Sequence, residues 1–299
     1  MQALWGLLRT MRPKQWTKNL LFVFPGIVFD GQFFEPNAFI RVFLSFLLLN
    51  LISGTVYIIN DLVDIESDRQ HPKKRFRPLP AGELPKQFAM IMAVIIPVIT
   101  IASSLFLSPP LTVILVTYLI LQIFYSFYLK HIVLIDVLTI TAGFVLRIAA
   151  GVVVIEVENF SPWLYACGGL LALFLAIGKR RQELLTLGEN AVNVRPIFRE
   201  YNLALIDDML RVVTTSTLIT YILYTIEAPG RTLAGINLPL FSVPFVMYGL
   251  FRYLYMIHVR GEGSAPDEVL LKDRPLQITM VLFALTHLII LYVVSDPSL

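Results

Sequence analysis

The sequence predicts an all-α integral membrane protein, built as one polytopic bundle of about nine transmembrane helices. Of its 299 residues, 57% are hydrophobic and 15% are charged, and the mean hydropathy is +0.73. This balance excludes an ordinary soluble globular chain. Apolar runs long enough to cross a bilayer recur along the whole length, and in lipid such runs are stable as helices. No internal repeat or low-complexity segment divides the chain, so we expect a single transmembrane domain over residues 1–299.

An amphipathic helix at the membrane surface is predicted over residues 1–18, where tryptophans and basic residues lie among apolar ones. The predicted spans are 17–35, 38–60, 86–107, 110–129, 132–154, 161–187, 206–227, 238–258 and 275–294. Pro25 and Gly31 interrupt the first span, so a re-entrant segment is the alternative there. Residues 61–85 and 179–205 are expected to form loops that cap the bundle.

The lysines and arginines predict which ends of the spans face the cytoplasm. With the N-terminus inside, all of them except Arg41, Arg147 and Arg231 fall on the cytoplasmic side. Acidic residues such as Asp30 and Glu35 occupy the opposite loops. The positive-inside rule therefore predicts a cytoplasmic N-terminus and an outer C-terminus.

An aspartate-rich segment follows the second span directly and contains Asn60, Asp61, Asp64 and Asp68. The aspartates are three and four residues apart, which places them on one face of a helix. Three neighbouring carboxylates repel one another unless a cation lies among them. Because the ligands at hand are oxygen atoms, the pattern favours Mg²⁺, with Mn²⁺ as the second choice. A solvated mixed-charge loop is the plain alternative.

Basic residues follow the aspartates immediately, and such cations suit phosphate oxygens. The run comprises Arg69, Lys73, Lys74, Arg75 and Arg77. An acidic face next to a basic loop predicts a binding site for a diphosphate that carries a Mg²⁺ ion.

A second charged segment, 178–183, ends the sixth span. Spacings of four and three residues allow Lys179 and Arg180 to form ion pairs with Glu183. Basic anchors at a cytoplasmic helix end are the alternative, and they account for Arg181 equally well.

Arg147 lies in the fifth span among apolar residues, where a charge costs roughly 2.5 to 3.5 kcal/mol on insertion scales. Asp136 stands eleven residues earlier, on the same helix face. Either each meets a partner on another helix, or both line a polar cavity that a charged substrate enters. Further polar residues near the predicted cytoplasmic ends of the spans are Lys18, Asn19, Tyr125 and Lys130.

The segment from Asn60 to Arg69 resembles the aspartate-rich motif N-D-x-x-D-x-x-x-D of the UbiA superfamily of intramembrane prenyltransferases. The resemblance covers essentially the whole chain and implies nine transmembrane helices around a central cavity open to the cytoplasm. Family members that use a prenyl diphosphate carry a second aspartate-rich motif near the sixth helix. This chain has the cationic pair of segment 178–183 there, which argues against a prenyl-diphosphate donor.

That departure is similar to one branch of the family, as are the stretches 12–19, 71–78, 129–131 and 271–274. The resemblance implies transfer of 5-phosphoribose from 5-phosphoribosyl 1-diphosphate to a decaprenyl-like polyprenyl phosphate, with release of diphosphate. It also implies a bacterial inner membrane and a product used for cell-wall arabinan. Because the second pKa of a phosphate monoester is about 6, the acceptor is largely dianionic and no general base is expected.

The expected roles follow from this resemblance together with the charge pattern. The metal ligands are Asn60, Asp61, Asp64 and Asp68, and the catalytic electrostatics come from the three aspartates and Lys179. The donor phosphates are assigned to Lys73, Arg75, Arg77 and Lys130. The acceptor phosphate or the ribose is assigned to Lys18, Asn19, Tyr125, Arg147, Lys179, Arg180 and Glu183.

Two other functions are compatible with such a chain. An aromatic prenyltransferase would join a polyprenyl diphosphate to a quinone-type ring, and it predicts a second acidic cluster and an aromatic pocket. A transporter for a divalent cation or a lipid-linked phosphate predicts polar residues that continue to the outer side and two similar halves. The crowding of charge on one side of the membrane argues against the transporter.

Overall fold

Long apolar helices dominate the structure, a computed structural model that describes residues 2–70, 74–157, 161–188, 191–227, 232–233, 236–261, 269 and 272–294. Within these residues, eight helical stretches are long and apolar enough to cross a membrane. They are Pro36–Val63, Lys86–Leu107, Pro109–Phe127, Ile135–Val152, Pro162–Leu187, Leu203–Glu227, Leu238–Arg260 and Arg274–Tyr292. They match the second to ninth predicted spans, which confirms a multi-pass helical membrane protein.

The α-helices are α1 (Gln2–Thr10), α2 (Trp16–Val23), α3 (Pro25–Phe29), α4 (Pro36–Val63), α5 (Ile65–Gln70), α6 (Lys86–Leu107), α7 (Pro109–Phe127), α8 (Ile135–Val152), α9 (Pro162–Leu187), α10 (Ala191–Val194), α11 (Leu203–Glu227), α12 (Val243–Tyr255) and α13 (Arg274–Ile289). Short 3₁₀ helices cover Pro13–Gln15, Lys74–Phe76, Leu129–His131, Pro196–Arg199 and Leu238–Ser242. π-Helical turns extend α12 over Met256–Arg260 and α13 over Ile290–Val294. Two short antiparallel strands, β1 (Thr232–Leu233) and β2 (Ile236–Asn237), pair Thr232 with Asn237 and Leu233 with Ile236.

The first predicted span, 17–35, is two short helices, α2 and α3. Pro25 has no N–H group to continue the hydrogen-bond pattern of α2, and α3 ends before Gly31, whose φ is 86°. The predicted count of nine spans is therefore not confirmed for the part of the chain that the structure describes, and the central cavity stays a prediction.

The predicted surface helix over 1–18 is also divided. Helix α1 ends at Thr10, and Arg12 has left-handed backbone angles, φ 55° and ψ 64°, before Pro13 begins a 3₁₀ helix. A residue that precedes proline is disfavoured in the right-handed helical region. The Arg12–Pro13 step therefore turns the chain between α1 and α2.

The two predicted capping loops contain more helix than expected. Helix α4 extends to Val63 and α5 follows it within 61–85, while α9 continues to Leu187 within 179–205. Charged residues of these two segments therefore lie near helix ends, and the helical backbone fixes the distances between them.

The chain divides into two compact units. The first comprises Met1–Ile27, Phe33–Phe127 and Leu146–Glu156, and the second comprises Val28–Gln32, Tyr128–Val145 and Val157–Leu299. The expectation of one domain over residues 1–299 stays a prediction.

Each unit has its own apolar core. In the first, α4 is the most buried of the long helices, and Leu7, Ile58 and Ala89 belong to a cluster that joins α1, α4 and α6. In the second, Phe174 of α9 and Leu210 of α11 belong to the main buried cluster. The polar residues of the candidate site stand at or near the ends of these core helices.

Gly151 of α8 packs directly against the backbone of α2 in the first unit. A Cβ atom at this position would overlap the carbonyl oxygen of Val23. We expect Gly151→Ala to destabilise the protein by about 1–3 kcal/mol, as overpacking typically does. Thermal unfolding in detergent measures this.

The matched control is Gly249→Ala in α12, where the nearest atom, Leu276 Cδ1, would be an ordinary 3.8 Å away. We expect this variant to be neutral or slightly stabilised, because alanine is the better helix former. Equal unfolding temperatures for the two variants would contradict the close approach of α8 and α2.

Candidate active site

The aspartate-rich segment lies at a bend between two helices. Helix α4 ends at Val63, and Asp64, with φ −90° and ψ 6°, separates it from α5. The backbone N–H of Asp64 donates to the carbonyl of Asn60 at 3.0 Å, and that of Asp68 donates to the carbonyl of Asp64 at 2.8 Å. Because these hydrogen bonds continue the helical pattern, the bend preserves the spacing of Asp61 and Asp68.

Arg77 brings the carboxylates of Asp61 and Asp68 together. Its Nη1 donates to Asp68 Oδ2 at 2.7 Å and to Asp61 Oδ1 at 3.1 Å. Both aspartates are buried, at 2% and 1% exposure, and Lys74 Nζ lies 3.5 Å from the second oxygen of Asp68. The structure therefore joins two of the predicted metal ligands through one of the predicted phosphate-binding residues.

Arg12 holds Asp61 from another direction, and sequence reasoning did not assign it to the site. Its Nη2 donates to Asp61 Oδ1 at 2.9 Å, and its guanidinium carbon lies 4.4 Å from the centre of the Tyr57 ring. The Tyr57 hydroxyl in turn donates to Gln15 at 2.6 Å. The available signal was the Arg12–Pro13 step, which takes the chain out of the helix at this residue.

The expectation of three converging carboxylates is not met. Among the residues that the structure describes, no three histidine, cysteine, aspartate or glutamate side chains are grouped to hold a metal. Asp61 and Asp68 converge on one nitrogen atom, while Asp64 is half-buried at the bend. Mg²⁺ is usually bound by one or two carboxylates together with substrate phosphates and water. The pair of Asp61 and Asp68 fits that kind of site.

The other predicted donor-phosphate residues are placed less tightly. Arg75 is exposed, with its guanidinium 4.8 Å from the centre of the Phe76 ring. Lys130 is half-buried in the 3₁₀ helix Leu129–His131 of the second unit. Lys73 lies outside the described residues.

Arg180 is enclosed in the second unit, at 1% exposure. Its Nε donates to Asp136 Oδ2 at 2.6 Å, and its Nη1 donates to Glu183 Oε2 at 2.6 Å. The predicted pairing of Arg180 with Glu183 is confirmed, and Asp136 is its additional partner. Two carboxylates therefore hold this guanidinium rigidly inside the protein.

Tyr201 completes the enclosure of Asp136. Its hydroxyl donates to Asp136 Oδ1 at 2.8 Å and accepts a hydrogen bond from the backbone N–H of Leu134 at 2.9 Å. Burial raises the pKa of Tyr201, and the hydrogen bond to the Asp136 carboxylate raises it further. Tyr201 thus stays a neutral donor throughout the physiological range.

Glu183 forms ion pairs with two more basic side chains, both of which are partly exposed to solvent. Lys179 Nζ lies 4.0 Å from Glu183 Oε1, and Arg195 Nε lies 3.5 Å from Glu183 Oε2. The side chains of Lys179 and Arg195 are 41% and 32% exposed. Arg195 was missed, because no spacing rule links it to the segment 178–183. Arg181 instead bonds to Asp207 at 2.7 Å and to the carbonyl of Ile257 at 2.9 Å, so it anchors its helix.

Arg147 has polar partners on other helices of the first unit. It donates through Nε to Asn19 Oδ1 and through Nη2 to the Tyr118 hydroxyl, both at 2.6 Å. Asn19 passes the network on to Asn50 at 2.6 Å. Of the two alternatives for Asp136 and Arg147, the structure supports separate partners for each. Lys18 and Tyr125, the other predicted residues, are half-buried.

The fold and these clusters define an integral membrane protein that carries a buried carboxylate pair at the end of one long helix and grouped cations at the end of another. The chain belongs to the UbiA prenyltransferase family, whose model matches residues 19–270.

Named relatives and solved structures agree with this assignment. The chain is 31% identical over 292 residues to the decaprenyl-phosphate phosphoribosyltransferase of Corynebacterium glutamicum, across 96% of this chain and 87% of that protein. The protein of the same name from Mycobacterium tuberculosis is 29% identical over 276 residues, across 91% of this chain and 90% of that protein. A UbiA homolog from Archaeoglobus fulgidus bound to GPP and Mg²⁺ has the same fold, with a TM-score of 0.69 at 19% identity, over 96% of this chain and 100% of that one.

The buried pair of Asp136 and Arg180 makes a direct prediction about stability. Removing one partner of a buried ion pair typically costs about 3–5 kcal/mol, because the other charge stays buried without it. We expect Asp136→Asn and Arg180→Met each to lower the unfolding temperature in detergent strongly, and the double variant to lose less than the sum.

The exposed pair of Asp208 and Arg211, at 2.7 Å, is the control. Its removal by Asp208→Asn should change stability by about 0–1 kcal/mol. Strictly additive losses for Asp136→Asn and Arg180→Met would show that the two side chains do not interact.

Proposed function

We propose that the protein transfers 5-phosphoribose from 5-phosphoribosyl 1-diphosphate to a polyprenyl phosphate. An oxygen of the acceptor phosphate forms the bond to C1 of the ribose as the bond from C1 to the diphosphate breaks, and diphosphate leaves. The observation that carries this proposal is the positive charge around Glu183 in the second unit, here called the second cluster. Lys179, Arg180 and Arg195 surround Glu183 at the segment where prenyl-diphosphate users have acids. A cationic cluster suits an acceptor that is itself an anion. The two relatives named above support the same reaction.

The metal would be Mg²⁺, with Mn²⁺ as a substitute, held chiefly by Asp61 and Asp68 and assisted by Asn60 and Asp64. When bound, such an ion neutralises charge on the departing diphosphate. The buried carboxylates that converge on one cationic nitrogen support this assignment. The Archaeoglobus fulgidus homolog solved with GPP and Mg²⁺ supports a divalent ion at this fold.

The basic residues beside Asp61 and Asp68, here called the first cluster, would bind the donor. Arg77 forms ion pairs with both carboxylates, and Arg75, two residues earlier, is exposed. Lys73 and Lys130 are assigned to the donor phosphates with them. Guanidinium and ammonium groups held in place stabilise a leaving diphosphate without reorganising at the moment of reaction.

The second cluster would receive the acceptor phosphate. Lys179 and Arg195 are the accessible cations, whereas Arg180 is enclosed and positions Glu183. Because a phosphate monoester is largely dianionic at neutral pH, its second pKa being about 6, no side chain has to remove a proton from it. Lys18, Asn19, Tyr125 and Arg147 are the remaining residues proposed to line the path of the ribose or acceptor.

The membrane places further limits on this proposal. The distribution of lysine and arginine supports an N-terminus and an active site on the cytoplasmic side. The bacterial relatives named above support a bacterial inner membrane. The polyprenyl tail would stay in the lipid, since a long isoprenoid is excluded from water. The product would serve cell-wall arabinan synthesis.

A second candidate is transfer of a prenyl group to an aromatic ring, favoured by the GPP bound to the Archaeoglobus fulgidus homolog. Purified protein should be given Mg²⁺ with either 5-phosphoribosyl 1-diphosphate and decaprenyl phosphate, or geranyl diphosphate and an aromatic acid. We expect a lipid-linked pentose phosphate in the first mixture by mass spectrometry. A prenylated ring as the sole product would overturn the proposal.

The metal assignment predicts the effect of removing either buried carboxylate. We expect Asp61→Asn and Asp68→Asn to reduce turnover of 5-phosphoribosyl 1-diphosphate by roughly 10²-fold or more, the scale of a lost electrostatic group. Glu66→Gln is the control, because Glu66 is an exposed acid of α5, the helix of Asp68, and pairs with Arg69 at 3.0 Å. Near-normal turnover by folded Asp61→Asn and Asp68→Asn proteins would refute the assignment.

A further inference from the structure

The carboxylates proposed to hold the metal already have cationic partners from the protein itself. Asp61 Oδ1 accepts hydrogen bonds from Arg12 at 2.9 Å and from Arg77 at 3.1 Å. Asp68 is bonded to Arg77 at 2.7 Å and lies 3.5 Å from Lys74. Each buried carboxylate therefore lies beside two positive side chains, and the two carboxylates share Arg77.

A divalent ion on its own would have to compete with these side chains. It would gain chiefly two carboxylates, those of Asp61 and Asp68, since the described residues bring no third acidic, histidine or cysteine side chain into one group with them. Mg²⁺ gives up its water reluctantly and is commonly held through one or two carboxylates plus substrate phosphates. Displacing Arg77 without offering it another anion would leave its charge beside a newly bound cation, which is unfavourable.

We infer that Arg77 is an exchangeable counter-ion that makes the metal bind together with the donor diphosphate and not before it. The inference rests on the proposed function, because it takes the donor to be a diphosphate. When the metal and diphosphate arrive together, the guanidinium moves from the carboxylates to the phosphate oxygens, and the carboxylates take up the metal. Every charge then keeps a partner of opposite sign. Metal and diphosphate strengthen the binding of each other by the same factor, as linkage requires.

Arg77 is better placed for this exchange than Arg12. Arg77 bridges both carboxylates from the short segment after the 3₁₀ helix Lys74–Phe76, where its backbone N–H donates to the carbonyl of Lys74 at 2.9 Å. Arg12 bonds to Asp61 alone and also covers the Tyr57 ring. Its left-handed backbone at φ 55° ties it to the turn between α1 and α2. Arg12 thus stays with Asp61 while Arg77 changes partner.

The test is equilibrium dialysis of the full-length protein in detergent, counting protein-bound Mn²⁺ with and without inorganic diphosphate. For the wild-type protein we expect diphosphate to tighten Mn²⁺ binding about tenfold or more at equal free Mn²⁺. Arg77→Gln should bind Mn²⁺ alone about tenfold more tightly than wild type, since a competing charge at hydrogen-bond distance is gone. The enhancement by diphosphate should shrink in this variant.

Arg211→Gln is the matched control, because it removes one positive charge from the exposed pair with Asp208 at 2.7 Å, outside the residues assigned to the site. It should bind Mn²⁺ like wild type under both conditions. Lys74→Gln is the second variant, since the Lys74 side chain is 44% exposed and lies farther from Asp68 than Arg77 does. It should tighten Mn²⁺ binding by a smaller factor, and it carries the test if Arg77→Gln fails to fold.

The outcomes separate this inference from the proposed function. Equal Mn²⁺ affinity of wild type with and without diphosphate overturns the inference and leaves the metal assignment standing. Unchanged Mn²⁺ affinity in Arg77→Gln and Lys74→Gln overturns it as well. Absence of protein-bound Mn²⁺ in both conditions overturns the metal assignment of the proposed function.

Discussion

The bridge that Arg77 makes between Asp61 and Asp68 is the interaction on which the candidate site depends. Without a cation, two carboxylates at 2% and 1% exposure would repel each other, and the free-energy cost of their desolvation would be large. One guanidinium nitrogen of Arg77 reduces the repulsion and replaces the lost water, with contacts of 2.7 and 3.1 Å. In the proposed function the same demand for a cation would be met by a metal, so that stability and function would draw on one electrostatic constraint.

The second cluster meets the same constraint with a different balance of charge. Arg180 is locked between Asp136 and Glu183, and both contacts are 2.6 Å. Lys179 and Arg195 approach Glu183 at 4.0 and 3.5 Å and remain open to solvent. In the proposed function, the tightly paired Arg180 serves as scaffold, whereas the partly exposed Lys179 and Arg195 would receive an incoming phosphate.

Unusual backbone conformations coincide with these polar clusters. Among the described residues, the non-glycine positions with positive φ are Arg12 at 55° and Leu134 at 66°. Arg12 bonds to Asp61, and the N–H of Leu134 bonds to the Tyr201 hydroxyl that supports Asp136. Such conformations carry a cost and persist where the surrounding contacts over-determine them. Here they turn the chain so that the Arg12 side chain reaches Asp61 and the Leu134 N–H reaches the Tyr201 hydroxyl, which in turn donates to Asp136.

The sequence by itself determined the membrane class, eight of the spans, the place of the aspartates and the pairing of Arg180 with Glu183. These follow from local composition and helical period, which act over a few residues. Only the tertiary structure decided the contact of Arg12 with Asp61 across 49 positions and that of Arg180 with Asp136 across 44. Among the described residues it also showed two converging carboxylates, Asp61 and Asp68, in place of three, with Asp64 at the bend between α4 and α5. The packing and turning of the helices decide which distant side chains meet. The spacing of residues along the chain does not determine that packing.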